Sequence, residues 1–214
     1  GPHQAVLLAD GKTVAVCNGG IRTHPDFPRT KLNIATMSPS LALIDRLSGR
    51  LMAQARLPRR LHQLSIRHLD ASPDGTLAVG LQYEGPKGDS VPLVVVYRDG
   101  ALIPLDMRDE ARLPLRGYVG SIAFDTAVRV IAATSPVGGV VAFWAVDDGR
   151  YLGRCDITDV CGLGAAQAPG TFVVTTGKGD IYGIEVGTWQ VRPIYSAMAR
   201  GSRWDNHLLR VTES

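Results

Sequence analysis

Four times along this chain an apolar strand runs into a tight turn and a second strand, and each such hairpin is followed by another with no helix signal between them. The leading hairpins fall at 5–16, 66–80, 121–134 and 163–176, and their followers at 40–56, 91–105, 139–154 and 180–195. A unit that recurs but cannot bury both of its own faces belongs to a repeat architecture, and four strands per repeat specify β-propeller blades. The expected fold is therefore all-β, a single β-propeller domain or propeller portion over 1–214. Its four four-stranded blades are expected at approximately 1–58, 62–106, 117–156 and 160–196, with a closing strand over 204–212.

The spacing of the repeat supports this reading. The aligned hydrophobes Val14, Leu77, Val130 and Phe172 lie 63, 53 and 42 residues apart. The last interval is close to an ordinary blade of roughly 40–45 residues. The longer ones carry insertions at Gly20–Pro39, Tyr83–Ser90 and Asp106–Leu115. Asp10-Gly11, Ser48-Gly49, Asp74-Gly75, Asp99-Gly100 and Asp148-Gly149 punctuate strand pairs, as hairpin turns require. Gly 24 and Pro 13 fit a turn-rich β protein, and 45% hydrophobic residues can form a sizeable core.

The net charge of +3 comes from interspersed acids and bases, which is far from the footprint of a nucleic-acid binder. No run of 18 apolar residues is present, so no membrane-spanning helix is expected. The chain has neither an initiator Met nor a signal peptide, and is expected to be a processed, trimmed or fragmentary product. Cys17, Cys155 and Cys161 are odd in number with no CxxC pair, and are expected as buried free thiols on strands.

The candidate site follows from the architecture. Innermost strands of a propeller begin beside the central channel, so their first residues converge there. The residues expected at the channel mouth are His3, Gln63, Ser65, Ser121, Cys161, Asn206 and His207. His3, Cys161 and His207 are the candidate transition-metal ligands, because imidazole and thiolate suit zinc, copper and iron. A hydrated channel of satisfied polar residues is the competing expectation. His62 and His68 are six apart, so on a regular strand they share a face about 20 Å from each other. Each is expected to be a structural hydrogen-bonder.

The Gly20–Pro39 insertion carries Arg22, His24, Asp26, Arg29 and Lys31. Three cations against one acid favour a carboxylate or phosphate ligand; alternatively Arg22 and Asp26 pair and the loop only caps the channel.

The runs GGIRTHPD (19–26) and HQLSIRHL (62–69) are the most specific, and with RTKLNIATMSPSLALID, YVGSIAFD, TSPVGG, DVCG and WDNHL they extend over essentially the whole chain. Together they resemble a family of bacterial Tat-exported β-propeller proteins, domain of unknown function 1513, of which this chain looks like the C-terminal portion. The resemblance implies a seven-bladed ring, periplasmic localisation and a setting near imelysin-like exported proteins associated with iron. The implied function is a binding module for a periplasmic protein or small-molecule ligand, linked to metal or iron handling. The partners expected exclude nucleic acid, and self-association is expected if blades are missing. The alternative is a channel-centred metal-dependent enzyme, a lactonase-like hydrolase or a redox protein. Calcium-type catalytic sites need several carboxylates, and the strand entries offer acids only at Asp159 and Asp205, which counts against the hydrolase. Walker, GxSxG, HExxH and EF-hand patterns are all absent.

Overall fold

Alternating and continuous apolar strands resolve into four antiparallel sheets of four strands in a computed structural model that describes residues 1–26, 30–105, 113–195 and 201–209. Blade 1 comprises β1 (Pro2–Leu7), β2 (Thr13–Asn18), β3 (Ser40–Asp45) and β4 (Leu51–Ala55). Blade 2 comprises β5 (Leu64–Ala71), β6 (Leu77–Tyr83), β7 (Val94–Arg98) and β8 (Ala101–Pro104). In blade 3 are β9 (Ser121–Asp125), β10 (Val130–Ser135), β11 (Val140–Ala145) and β12 (Tyr151–Asp156). Blade 4 holds β13 (Val160–Ala165), β14 (Thr171–Thr176), β15 (Ile181–Glu185) and β16 (Gln190–Pro193). Within each sheet the strands follow one another in chain order, and β1, β5, β9 and β13 adjoin as the inner strands. The segment expected as a closing strand has no strand pairing over 204–209; 210–212 lie outside the described residues.

Local chemistry accounts for the turns. At Asp99-Gly100, between β7 and β8, both residues have positive φ (51° and 80°), the left-handed pair that a two-residue hairpin needs to match strand twist. Asp10 organises the first turn differently: its carboxylate accepts from the backbone N–H groups of Lys12 and Thr13 and from the Thr13 hydroxyl.

Burial explains why the strands read differently along the sequence. The strands β9, β10 and β11 are buried along almost their whole length, because a neighbouring blade covers each face, and they carry continuous apolar runs such as Val140–Trp144. The outermost β16 is exposed throughout, and Leu51 and Met52 on β4 are half exposed. One apolar cluster spans blades 1 to 3, and a second, built on Phe143, Phe172 and Val174, joins blades 3 and 4.

Polar stitches also join successive blades at the inner strands. Gln4 on β1 bonds the Leu69 backbone of β5 twice: its amide donates to the carbonyl at 2.9 Å, and its oxygen accepts from the N–H at 3.2 Å. Asp70 on β5 accepts from the Phe124 N–H of β9 at 2.8 Å. Asp125 on β9 accepts from Gly170 of blade 4 at 2.7 Å. Each stitch satisfies backbone groups that the packed interface would otherwise leave unpaired.

Three of the four inner strands are interrupted. Register shifts occur between Pro2 and Gln4 in β1, between Ile66 and His68 in β5, and between Val160 and Leu163 in β13. A bulge adds a residue to one strand and re-aims the side chains beside it. Here the affected residues are His3, Arg67, Cys161 and Gly162.

Candidate functional site

The bulges in β1 and β5 bring three imidazoles together. The His3 and His68 ring centroids are 4.8 Å apart with the rings edge to face, and His207 stands 4.8 Å from His68. His68 is 1% exposed and neither of its ring nitrogens has a hydrogen-bond partner. The even spacing of His62 and His68 therefore does not survive as a structural rule. His62 lies in the turn before β5, where its Nδ1 is 3.1 Å from the Arg59 carbonyl, and the bulge at Arg67 resets the alternation beyond it. His68 is not the structural hydrogen-bonder expected of it.

Two of the three imidazoles, His68 and His3, are held uncharged at neutral pH. Burial, followed by the neighbouring His3, His207 and Arg67, lowers the His68 pKa to about 3. His3 is open to solvent on one side, yet partial burial, then Arg67 and His207, lower it to about 4.

Beside His3 is a cavity of about 230 Å³ lined also by Gly19, Lys31, Ser65 and Arg67. Ser65 is fully buried and its Oγ lacks a partner. A side chain at Gly19 would place its Cβ 2.7 Å from that oxygen, so glycine there keeps the approach to Ser65 open. Arg67 Nε is likewise buried and unpaired. Lys31 pairs with the nearly buried carboxylate of Glu84.

The remaining candidates are placed as follows. Gln63 adjoins blade 2's long loop, its carbonyl accepting from the Glu84 N–H at 2.9 Å. Ser121 is buried opposite Thr134 in the β9–β10 ladder. Asn206 donates to the Tyr118 hydroxyl at 2.7 Å, and Trp204 donates to the Gly179 carbonyl at 3.2 Å. Asp205 and Leu208 approach Gly162 and Gly164, so residues 204–208 lie along inner strand β13 on their way to His68.

In the first insertion the Arg22–Asp26 pairing is not formed: Asp26 turns to His24, 3.5 Å between carboxylate and imidazole. The Arg22 backbone is pinned by Asn33 instead. Arg29 lies outside the described residues.

The expected metal set of His3, Cys161 and His207 does not assemble. Cys161 turns its thiol to the Asp159 carbonyl at 3.1 Å, and burial raises its pKa, which disfavours the thiolate a metal needs. It is His68 that bridges the two other imidazoles. Among the described residues, no three His, Cys, Asp or Glu side chains are arranged to hold a metal ion. All three cysteines are buried and free, as expected.

A second cavity of about 450 Å³ was missed by the sequence reading. It lies between the β6–β7 loop and Arg116-Gly117, with Tyr83, Leu93 and Val137 in its wall. The Tyr83 hydroxyl donates to Asp89 at 2.6 Å, and that bond pushes its pKa up to about 12. The Tyr83–Ser90 insertion was the available signal, but no residue within it identified a pocket.

Comparison with known proteins adds fold and family. A family model described as protein of unknown function (DUF1513) matches residues 1–211. A structure of U3-55K and a crystal structure of the RRP9 WD40 repeats each superpose with a TM-score of 0.63 at 16% identity, over 91% of this chain and 51% of theirs. The chain thus spans about half the length of these solved chains, and at that identity the likeness shows the fold, a set of propeller blades. No curated protein matches.

Proposed function

The chain belongs to the DUF1513 family of proteins of unknown function, and on that premise we propose that its blades form a binding module, with the site at the entries of β1 and β5. The observation that carries the reading is a pair of buried polar groups without partners, Ser65 Oγ and Arg67 Nε, on residues that line one cavity, with the two unpartnered nitrogens of His68 on the ring packed against the lining residue His3. Orphaned polar groups in a packed interior are costly, and a ligand or ordered water that satisfies them recovers that cost.

Catalysis is the weaker reading. A serine nucleophile needs a base within hydrogen-bond reach, and Ser65 has no such partner. Among the described residues the donor geometry gives no support to a link with metal handling. The expected result is therefore a ligand-dependent rise in melting temperature of the intact protein against a small-molecule panel. No turnover of esters, lactones or phosphate esters is expected. Turnover that disappears in Ser65→Ala would replace this reading with an enzymatic one.

Periplasmic residence after Tat export belongs to the same proposal. Its support is the resemblance carried by GGIRTHPD and HQLSIRHL. Fractionation of cells producing the full-length protein should recover it with periplasmic markers; exclusive recovery with the cytosol would remove this part.

A further inference from the structure

We infer that the cavity between β1, β2 and β5 binds the oxyanion group of a small acid, a carboxylate or a phosphate, with Arg67 as its counter-charge and Ser65 as its neutral donor. This deepens the binding-module reading and rests on it.

Charge comes first. Arg67 is partly buried, and no ion pair or hydrogen bond joins it to a carboxylate among the described residues. Its field acts on His3 and His68 and helps to hold both neutral. A guanidinium whose Nε is shut away from water normally finds a carboxylate or another acceptor, because a buried polar nitrogen left unpaired is unfavourable. Glu84 pairs with Lys31 through Oε2, which offsets the charge of that lining lysine, and no hydrogen bond or ion pair joins Glu84 to Arg67 among the described residues.

Shape and donors agree with an anion. Ser65, with no exposed surface, presents an unpartnered hydroxyl to the cavity. Neutral His3 contributes a ring nitrogen able to donate, and Gly19 leaves the space in front of Ser65 clear. At about 230 Å³ the cavity falls below the roughly 300–1,000 Å³ typical of drug-sized ligands, so it suits a small acid better than a nucleotide cofactor. The bulge in β5 is what makes the site. It turns Arg67 out of the regular alternation while Ser65 and His68 stay buried.

The test is calorimetry on the intact protein at neutral pH, with inorganic phosphate and succinate as probes and succinamide as the uncharged control. Saturable binding of at least one anion is expected, with none for succinamide. Arg67→Gln should weaken binding at least tenfold and Ser65→Ala by several-fold. Lys87→Gln, in the wall of the other cavity, should leave it unchanged. A second readout needs no variant: titration of the imidazoles by NMR. An anion seated against Arg67 offsets the positive field of Arg67, so the His3 midpoint should rise in saturating phosphate or succinate.

Absence of saturable binding by both anions, or binding that survives Arg67→Gln unchanged with no movement of the His3 midpoint, overturns the inference. If succinamide or a protein partner binds at this face while both anions fail, the anion assignment falls and the binding module stands. Binding of an acidic protein segment without either free acid would assign the same oxyanion chemistry to a macromolecular source and reject the small acid.

Discussion

Lowering the pH from 7.5 to 4.5 is expected to cost the folded state about 2–3 kcal/mol through His68 alone, given an unfolded pKa of 6.5 and a folded one of about 3. The sign follows from proton counting. In the unfolded chain the imidazole takes up a proton as the pH drops through 6.5, whereas the folded state binds it only near 3. The unfolded state thus gains relative stability throughout that window. His3 shifts in the same direction and adds to the loss, although it is open to solvent on one side. Urea melts at the two pH values measure the effect. His68→Gln keeps a polar side chain of similar size but does not titrate, and should flatten most of the dependence. An equal acid loss in His68→Gln and in the parent would assign the effect to other groups.

Phe143→Ala should destabilise the protein by about 3–5 kcal/mol, the usual cost of emptying an aromatic core position. Phe143 is fully buried on β11 at the junction of blades 3 and 4. Its ring meets Phe172 edge to face at 5.7 Å and Trp189 at 5.1 Å. Trp189 in turn lies over Gly153, the β12 residue paired with Phe143, where any Cβ would approach the indole to 3.2 Å. The cavity left by truncation would therefore be walled by large rings that cannot close over it. In a repeat architecture a weakened junction can uncouple its two sides. A chemical melt of the variant should accordingly broaden or split, with Trp189 fluorescence reporting the earlier phase. A loss below about 1 kcal/mol would contradict this account of the junction.

Much of the fold was legible because strands and turns leave local marks. Val140–Trp144 is apolar at every position because blades cover both its faces, and Asp99-Gly100 advertises its own turn. The site was only partly legible. Ser65 and His3 were found by asking which residues begin inner strands, a question that topology answers; His207 reaches the cluster although the closing strand expected to carry it does not pair over 204–209. Arg67 was not singled out, because regular alternation gives no reason to separate it from its neighbours and a β-bulge has no reliable mark in a single sequence. The same bulge turned His68 from a hydrogen-bonding wall residue into the middle of the imidazole cluster. Cys161 failed as a ligand for a local reason: the Asp159 carbonyl two residues earlier captures its thiol. The Lys31–Glu84 pair links two insertions more than fifty residues apart, and neither advertises the other.

The return of residues 204–208 along β13 to His68 carries a consequence in time. His207 is made about 140 residues after His68, a delay of roughly 7–30 s at ordinary rates of synthesis. Blades 1 and 2 can pair their strands while His68 still lacks one of its two ring neighbours. The imidazole cluster is thus completed after the four sheets described here, and its assembly reports that these four blades have been translated and have met.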